Sequence, residues 1–380
     1  MLRFFQTGDW HLGQAYRQFD VDLADRLRAG RLEAIGRVLE EADRSGAAFV
    51  LAAGDQFDGP QPDPRLVREL LDRIGGSKSP VHMIPGNHDP HQPGSVYVRE
   101  EFRKRPANLH YHDRARPVPL PGLDATLYPC PCTARYGDDP MAWIPPRAGG
   151  EGLRIALAHG SLPVQEGEAG GPNYPIAADA PRRFGLDYVA LGDWHRPTPD
   201  PDARPDGRMY YAGAPEVGGW DETGAGFALE VTLEAGADPA VARRRVGRHA
   251  WSDLSPGLFS VDDVRRLVAG LGEDASSDRI VRVTPTGGLP LAARAELESA
   301  VEGLRGRFAS LILDLSGLRM VADGDVDLPL DSILREAHRR LLRLADDPAD
   351  GVPKRFPGEL PAPDAEVIAR AMGRFRGLLH

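Results

Sequence analysis

The sequence predicts an α/β fold with a cluster of polar turns at one edge of its sheets. Three observations predict it. Short apolar runs alternate with helical patterns through the first part of the chain, the signature of βαβ units. Five of those runs end in Asp, Asn or His. Beyond Ser255-Pro256-Gly257 the pattern changes to helix, strand, helix, strand, with no such endings.

The elements follow in order. Leu2-Arg3-Phe4-Phe5-Gln6 reads as a strand and runs into Asp9-Trp10-His11. A helix over about 21–45 carries Leu23, Leu27, Leu32, Ile35, Val38 and Leu39 at helical spacing. Phe49 to Ala53 is a second strand, ending in Gly54-Asp55-Gln56-Phe57-Asp58. Pro60 to Pro64 break the chain, and a helix from Leu66 to Ile74 stops at Gly75-Gly76. The strand Val81 to Pro85 delivers Gly86-Asn87-His88-Asp89. Strand, helix, strand implies parallel pairing with a right-handed crossover.

Residues 90–152 are rich in Pro and Gly, with short runs such as Ala125 to Tyr128, and read as loops plus a second sheet. Leu153 to Ala158 ends in His159-Gly160, and Tyr188 to Leu191 ends in Gly192-Asp193-Trp194-His195. Loop 163–175 beside His159 either lines a substrate groove or only connects. Gly226 to Glu234 is a strand, and the Arg243, Arg244, Arg245 and Arg248 cluster after it reads as a solvated strand face. A helix at 261–271, a strand at 279–284, a helix at 291–307 and a strand at 310–315 make a small α+β domain. Two further helices are predicted, 331–345 and 364–379, joined by a Pro/Gly/Asp loop at 346–363. The second carries an apolar stripe of Val367, Ile368, Met372, Phe375 and Leu379. The expected domains are 1–252, 253–330 and 331–380, with no internal sequence repeat.

Composition narrows the class. A hydrophobic fraction of 41% and a charged fraction of 27% are ordinary for a globular protein. No apolar run reaches the roughly 18 residues of a membrane span, and the N-terminus enters a strand without a signal segment, so a cytoplasmic protein with no membrane partner is expected. The net charge of −10 argues against coating nucleic acid by charge alone. Cys130 and Cys132 are the only cysteines and are expected to be reduced.

The chemistry sits in the five turns. In open α/β sheets ligands bind beyond the carboxyl ends of the strands, so oxygen and imidazole donors delivered there predict a metal site. Asp9 with His11, and Asp193 with His195, are two apart; in extended backbone such residues share a face, so each pair would close on one point. The mixed oxygen and nitrogen donors, without thiolate, favour manganese over a thiolate-type zinc site. No phosphate-binding Gly-x-x-x-x-Gly-Lys-Ser/Thr loop and no His-Glu-x-x-His occur, and Ser161 lacks a Gly-x-Ser-x-Gly elbow.

The order Asp-x-His, Gly-Asp-x-x-Asp, Gly-Asn-His-Asp, His-Gly and Gly-x-x-His resembles the calcineurin-like metallophosphoesterase superfamily. Within it, Asp9-Trp10-His11-Leu12-Gly13, Ala190 to Pro197 and Tyr210 to Glu216 resemble the bacterial SbcD nuclease subunits of DNA repair. The resemblance implies a β-sandwich flanked by helices, with the α+β unit as a capping domain. It implies two divalent metal ions, manganese by preference, activating a shared hydroxide for phosphodiester hydrolysis. Asp9, His11, Asp55 and His195 would hold the first ion; Asp55, Asn87, His159 and Asp193 the second. SbcD-like chains carry His where this one has Asp193, so that ligand is a departure. His88 would face the scissile phosphate, Asp89 would orient or charge His88, and Asp58 would support a ligand or touch substrate. The implied partners are DNA, through single- or double-stranded ends, and an SbcC-like coiled-coil ATPase docked by the C-terminal helices; whether a homodimer forms stays open. The alternatives are a cyclic-nucleotide or other phosphodiesterase or phosphatase with the same metals, and a non-cleaving scaffold for DNA or an ATPase.

Overall fold

The computed structural model describes residues 1–162, 173–199, 207–222 and 224–321, together with 371. The expected helix at 331–345, that at 364–379 except for residue 371, their joining loop, and most of loop 163–175 lie outside the described residues. The chain divides into two compact units, Met1–His249 and the part from Ala250 onward.

The first unit begins with β1 (Leu2–Thr7), α1 (Val21–Ser45), β2 (Val50–Ala53), α2 (Pro64–Gly76), β3 (Val81–Ile84), α3 (Glu100–Arg103) and β4 (Leu109–Tyr111). It continues with β5 (Val118–Pro119), β6 (Ala125–Cys130), β7 (Leu153–His159), α4 (Ala180–Phe184), β8 (Tyr188–Gly192), β9 (Met209–Tyr211), β10 (Phe227–Leu233) and β11 (Ala240–Arg245). Two sheets result, in the orders β11-β10-β1-β2-β3-β4 and β5-β6-β7-β8-β9. β1 to β4 are parallel, as are β6 to β9; β10, β11 and β5 pair antiparallel.

Alternation along each strand builds the layers. Phe4, Phe49, Leu51 and Ile84 face Leu127, Ile155, Leu157 and Tyr188 in a core between the sheets. Their neighbours Phe5, Val50, Ala52, Val81 and Met83 face the other way, under α1 and α2. The outer side of the second sheet is covered by Met141, Ile144, Ile176, Ala180 and Phe184. Strands buried on both faces need apolar runs rather than alternation with polar residues, which is what the sequence carries. Gln6 is one of the buried polar residues among them: its amide donates to Leu191 O and Tyr210 O, and Tyr188 Oη donates to its carbonyl at 2.6 Å. That satisfied buried group ties β1 to β8 and β9 and fixes the two sheets in register.

Helix α1 starts where the Asp20 carboxylate accepts from Leu23 N, and it ends at Gly46 in left-handed backbone. Its buried face includes Leu27, Ile35, Val38 and Leu39, the predicted stripe. Asp63 caps α2 and Pro64 opens it. On β11, Arg244 pairs with Glu230, and Arg243 and Arg245 flank the Phe227 ring. Cys130 and Cys132 are free and buried.

The second unit contains β12 (Ala250–Leu254), β13 (Gly257–Leu258), α5 (Val261–Glu273), β14 (Arg279–Val283), β15 (Thr286–Pro290), α6 (Leu291–Leu304), β16 (Ser310–Leu313) and β17 (Leu318–Val321). It begins at 250 rather than at the expected 253, because β12 pairs with β14. Three strand pairs joined by α5 and α6 each give one strand to β12-β14-β16 and one to β13-β15-β17. This repetition has no counterpart in residue identity; the pattern that repeats is burial, around Leu258, Val281, Leu289, Leu297 and Leu311. Among the described residues, no helix is long and apolar enough to cross a membrane.

Candidate metal centre

The turns after β1, β2, β3, β7 and β8 meet at the carboxyl ends of the parallel strands. Main-chain bonds zip the first two together: Asp9 N to Gly54 O, His11 N to Asp55 O and Leu12 N to Gln56 O, each at 3.0 Å. His88 N donates to Asp55 Oδ1 at 2.9 Å, which adds the third turn. Asp193 N donates to Asp9 Oδ1 at 2.9 Å, which adds the fifth.

The geometry that aims these side chains differs from the extended pairing expected for Asp9–His11 and Asp193–His195. Asp9 (φ 51°), His11 (42°), Asp55 (53°) and Asp193 (105°) all adopt left-handed backbone, four of the six described non-glycine residues that do. Such conformations cost free energy and persist where the surroundings impose them, commonly at functional sites. The donors converge because the turns are tightly wound, and glycines make room. A Cβ on Gly86 would collide with Asp55 Oδ1, and one on Gly54 would stand 2.5 Å from His159 Nδ1.

The side chains crowd together around Asp9 and Asp55. His11 Nε2 and His195 Nε2 are 3.0 Å apart. Asp55 Oδ2 lies 3.6 Å from His11 Nε2 and 3.5 Å from His159 Nε2. His159 Nε2 lies 3.7 Å from Asp193 Oδ1, to which Asn87 Nδ2 donates at 3.4 Å. The groups Asp9–His11–His195 and Asp9–Asp55–His159 each bring their donor atoms within 4.8 Å of one another.

Each histidine is held through its other nitrogen. His159 Nδ1 donates to Ala53 O at 2.9 Å, and His195 Nδ1 meets Glu222 Oε1 at 2.7 Å. His11 Nδ1 lies 3.5 Å from Asp58 Oδ1. These partners present Nε2 to the centre. Burial opposes charge on Glu222, yet His195 and Arg31 outweigh it and hold the carboxyl down at about 2. Arg31 is fully buried and is itself bound by Tyr16 Oη at 2.6 Å and Trp10 O at 2.9 Å.

The residues fit divalent metal. Asp9 Oδ2, Asn87 Oδ1 and His159 Nε2 are buried without a hydrogen-bond partner, and buried polar atoms ordinarily have one. Burial raises the Asp9 and Asp55 carboxyls above the usual carboxylate range. Burial alone would lower His159, but Asp55, Asp193 and Asp9 raise it to about 9. A concentration of buried carboxylate that draws protons onto its own histidines needs positive charge, which a cation supplies.

One expected role looks different here. Asp89 does not reach for His88: its Oδ1 accepts from Gly86 N and its Oδ2 from Phe57 N and Tyr97 Oη, so it clamps the second turn to the third. The His88 ring lies beside Asp58 instead. Asp58 stands beside both His11 and His88. His88 is half-buried and meets the His11 ring edge-on at 5.0 Å. Sequence reasoning missed Glu222, which no motif marks. It weighed Ser161 only as a nucleophile, whereas the hydroxyl donates to Asp193 Oδ2 at 2.5 Å.

A two-sheet sandwich that gathers imidazole and carboxylate donors at its strand ends is the frame of a metal-dependent phosphoesterase. The calcineurin-like phosphoesterase family model matches residues 2–197, and the chain belongs to that family. No curated protein matches the sequence. Among solved structures, TT1561 of Thermus thermophilus is similar over 64% of this chain and 99% of that one, at 12% identity and a TM-score of 0.38. Family membership implies metal-dependent hydrolysis of phosphoesters.

Proposed function

We propose that this phosphoesterase is a manganese-dependent DNA exo/endonuclease of repair, acting at single- or double-stranded ends. The observation that carries the hydrolytic part is the position of Asp55 Oδ2, 3.6 and 3.5 Å from the imidazoles of two donor sets. Asp9, His11, Asp55 and His195 would hold one ion, and Asp55, Asn87, His159 and Asp193 the other. When bound, such a pair supplies charge neutralisation at the phosphate and a nucleophile at neutral pH. The chain's own residues do the rest. Glu222, the Ala53 carbonyl and Asp58 orient the three histidines, and His88 hydrogen-bonds or protonates the leaving oxygen. The nuclease part is supported by the SbcD-like segments Gly192 to Pro197 and Tyr210 to Glu216. It is also supported by continuation of the chain into a second compact unit.

The test is a substrate panel with manganese: end-labelled single- and double-stranded DNA, bis-p-nitrophenyl phosphate and a phosphomonoester. Degradation of DNA and of the diester is expected. Preference for the monoester with DNA intact would make the protein a phosphatase, and ion binding without any hydrolysis would make it a scaffold. The partner proposal is that 347–380 docks an SbcC-like coiled-coil ATPase; deletion of that segment should abolish co-purification while leaving hydrolysis in place.

A further inference from the structure

We propose that Arg135 and Tyr136 form a substrate clamp beside the metal centre. The guanidinium takes a phosphate flanking the scissile one, and the ring stacks on the adjoining nucleobase of a single strand. This rests on the nuclease reading above and adds to it a binding site outside the metal-ligand motifs.

Three observations carry the inference. Tyr136 is 73% exposed and is the one aromatic among the large exposed apolar side chains of the described residues. A lone exposed ring is ordinary, but this one stands on a loop whose main chain is fixed on both sides. Tyr174 Oη accepts from Ala134 N and donates to Ala134 O at 2.8 Å. Asn173 Nδ2 donates to Arg135 O at 2.8 Å, Asn173 Oδ1 accepts from Gly137 N, and Tyr174 N donates to Gly137 O. Gly137 lies so close to the Tyr174 ring that a Cβ there would collide with it. An exposed side chain on an already ordered backbone loses little entropy when a ligand meets it.

The second observation is the loop's place. Just before it, Cys132 N donates to Pro85 O, next to the Gly86-Asn87-His88 turn. Just beyond its anchors, Ser161 N donates to Asn173 O and Tyr174 O, and Ser161 itself holds Asp193. The loop is therefore tied to the Asn87 and Asp193 turns by short chains of hydrogen bonds. The third observation is charge. Arg135 is exposed and has no carboxylate partner among the described residues. Its guanidinium carbon stands 6.0 Å from the Tyr136 centroid, so cation and ring present one composite surface. A cation beside a flat ring matches the alternation of phosphate and base along a nucleic-acid strand.

The experiment is fluorescence anisotropy of the full chain with labelled oligothymidylate and with an abasic oligomer of equal length, in calcium, across a salt series. Circular dichroism and manganese stoichiometry establish that each variant is folded with its centre intact. Tyr136→Ala is expected to weaken oligothymidylate binding about tenfold, the scale of one stacked base, and Tyr136→Trp to restore it. The difference between wild type and Tyr136→Ala should vanish on the abasic oligomer. Arg135→Gln should lower the salt slope by about one phosphate contact. Wild-type binding that is unchanged in affinity and salt slope by both Tyr136→Ala and Arg135→Gln overturns the clamp and leaves the nuclease reading standing. Wild type that binds no oligonucleotide yet hydrolyses bis-p-nitrophenyl phosphate overturns the nuclease reading, and the clamp with it.

Discussion

Ser161 donates its hydroxyl to one oxygen of Asp193 at 2.5 Å, and the other oxygen faces His159 at 3.7 Å. The hydroxyl therefore sets the rotation of a carboxylate at a position where SbcD-like chains carry His. Asp is shorter than His, and the left-handed backbone of Asp193 at φ 105° belongs to the turn that delivers it. If Asp193 is the ligand proposed, Asp193→Ala will reduce manganese stoichiometry from two ions to one. Ser161→Ala will keep both ions but weaken one by about tenfold, the scale of losing a residue that orients a ligand. Titration calorimetry reads both. Anomalous scattering from manganese-soaked crystals decides the matter: a full second site with Asp193 remote from the ion would rule the ligand role out.

Glu222 stands in the corresponding place behind His195. Glu222→Gln removes the charge and lets the His195 tautomer change, so manganese affinity should fall about 10- to 100-fold. The Arg31 guanidinium, fully buried with Glu222 Oε2 at 3.8 Å, then loses its acidic neighbour. A lower melting temperature is expected alongside the weaker affinity, because a buried charge has been stripped of its partner. Unchanged affinity in Glu222→Gln would show that His195 is oriented by packing alone.

Protons and metal should compete at this centre. Burial works against charge on His159 and His195, but Asp55 and its neighbours raise the first, and Glu222 the second, to about 9. The ion-free protein is then protonated at both rings below that pH, and a metal ligand must be neutral. Manganese affinity should rise with pH up to about 9, with protons released on binding near neutrality. Calorimetry at pH 7.5 in buffers of different ionisation enthalpy measures that release. Binding heats independent of buffer would contradict the assignment.

His88 is the test of chemistry against ligation. Its ring stands beside Asp58, and Asn87 next to it carries the orphaned oxygen. His88→Ala should keep both ions and lose roughly 10²–10⁴ in turnover of DNA. Near-normal cleavage, or loss of an ion, would each refute the role.

Much of the centre was legible because a strand tip leaves few places for a ligand. An apolar run that ends in Asp, Asn or His declares both the strand and the donor, so Asp9, Asp55, Asn87, His159 and His195 could be read directly. The stripe of α1 was legible for a similar reason, as Leu27, Ile35 and Val38 keep helical spacing. What escaped depends on contacts between distant segments. Glu222 is 27 residues from His195, and nothing local marks it. Asp89 looked like a partner of its sequence neighbour His88 but is turned to Phe57, Gly86 and Tyr97. The left-handed turns were invisible too, since they fall on Asp and His rather than on glycine. His82, His110 and His112 lie apart in the sequence, yet register between β3 and β4 brings them together.

That trio yields a prediction about stability. His82 Nδ1 and His112 Nε2 are 3.0 Å apart, with ring planes within 5° and centroids 5.3 Å apart. Two rings at that separation share a single N–H···N bond, so one must donate and the other accept. At most one of the two can therefore carry charge, because an imidazolium at each end would set two protons against each other. His110 stacks on His82 at 4.8 Å, and Phe49 meets its edge at 5.5 Å, leaving no carboxylate against the His82 ring among the described contacts. Burial, and then His112 and His110, push His82 down to about 3. Burial first, and then His110 and Arg116, push His112 down to about 4. The sign follows. The unfolded chain takes up these protons near pH 6.5 while the folded protein does so only near 4 and 3. The stability is complete above pH 6.5 and is lost as pH falls through that window. Between pH 7 and 4.5 the wild type should lose on the order of a few kcal/mol from this pair. His82→Gln can still accept or donate toward His112 but carries no proton of its own, so its melting temperature should fall less steeply over that range. The measurement is thermal unfolding by circular dichroism in steps of pH, on ion-free protein to keep the metal centre out of the comparison. Parallel curves for wild type and His82→Gln would show that the pair is already charged in the folded protein.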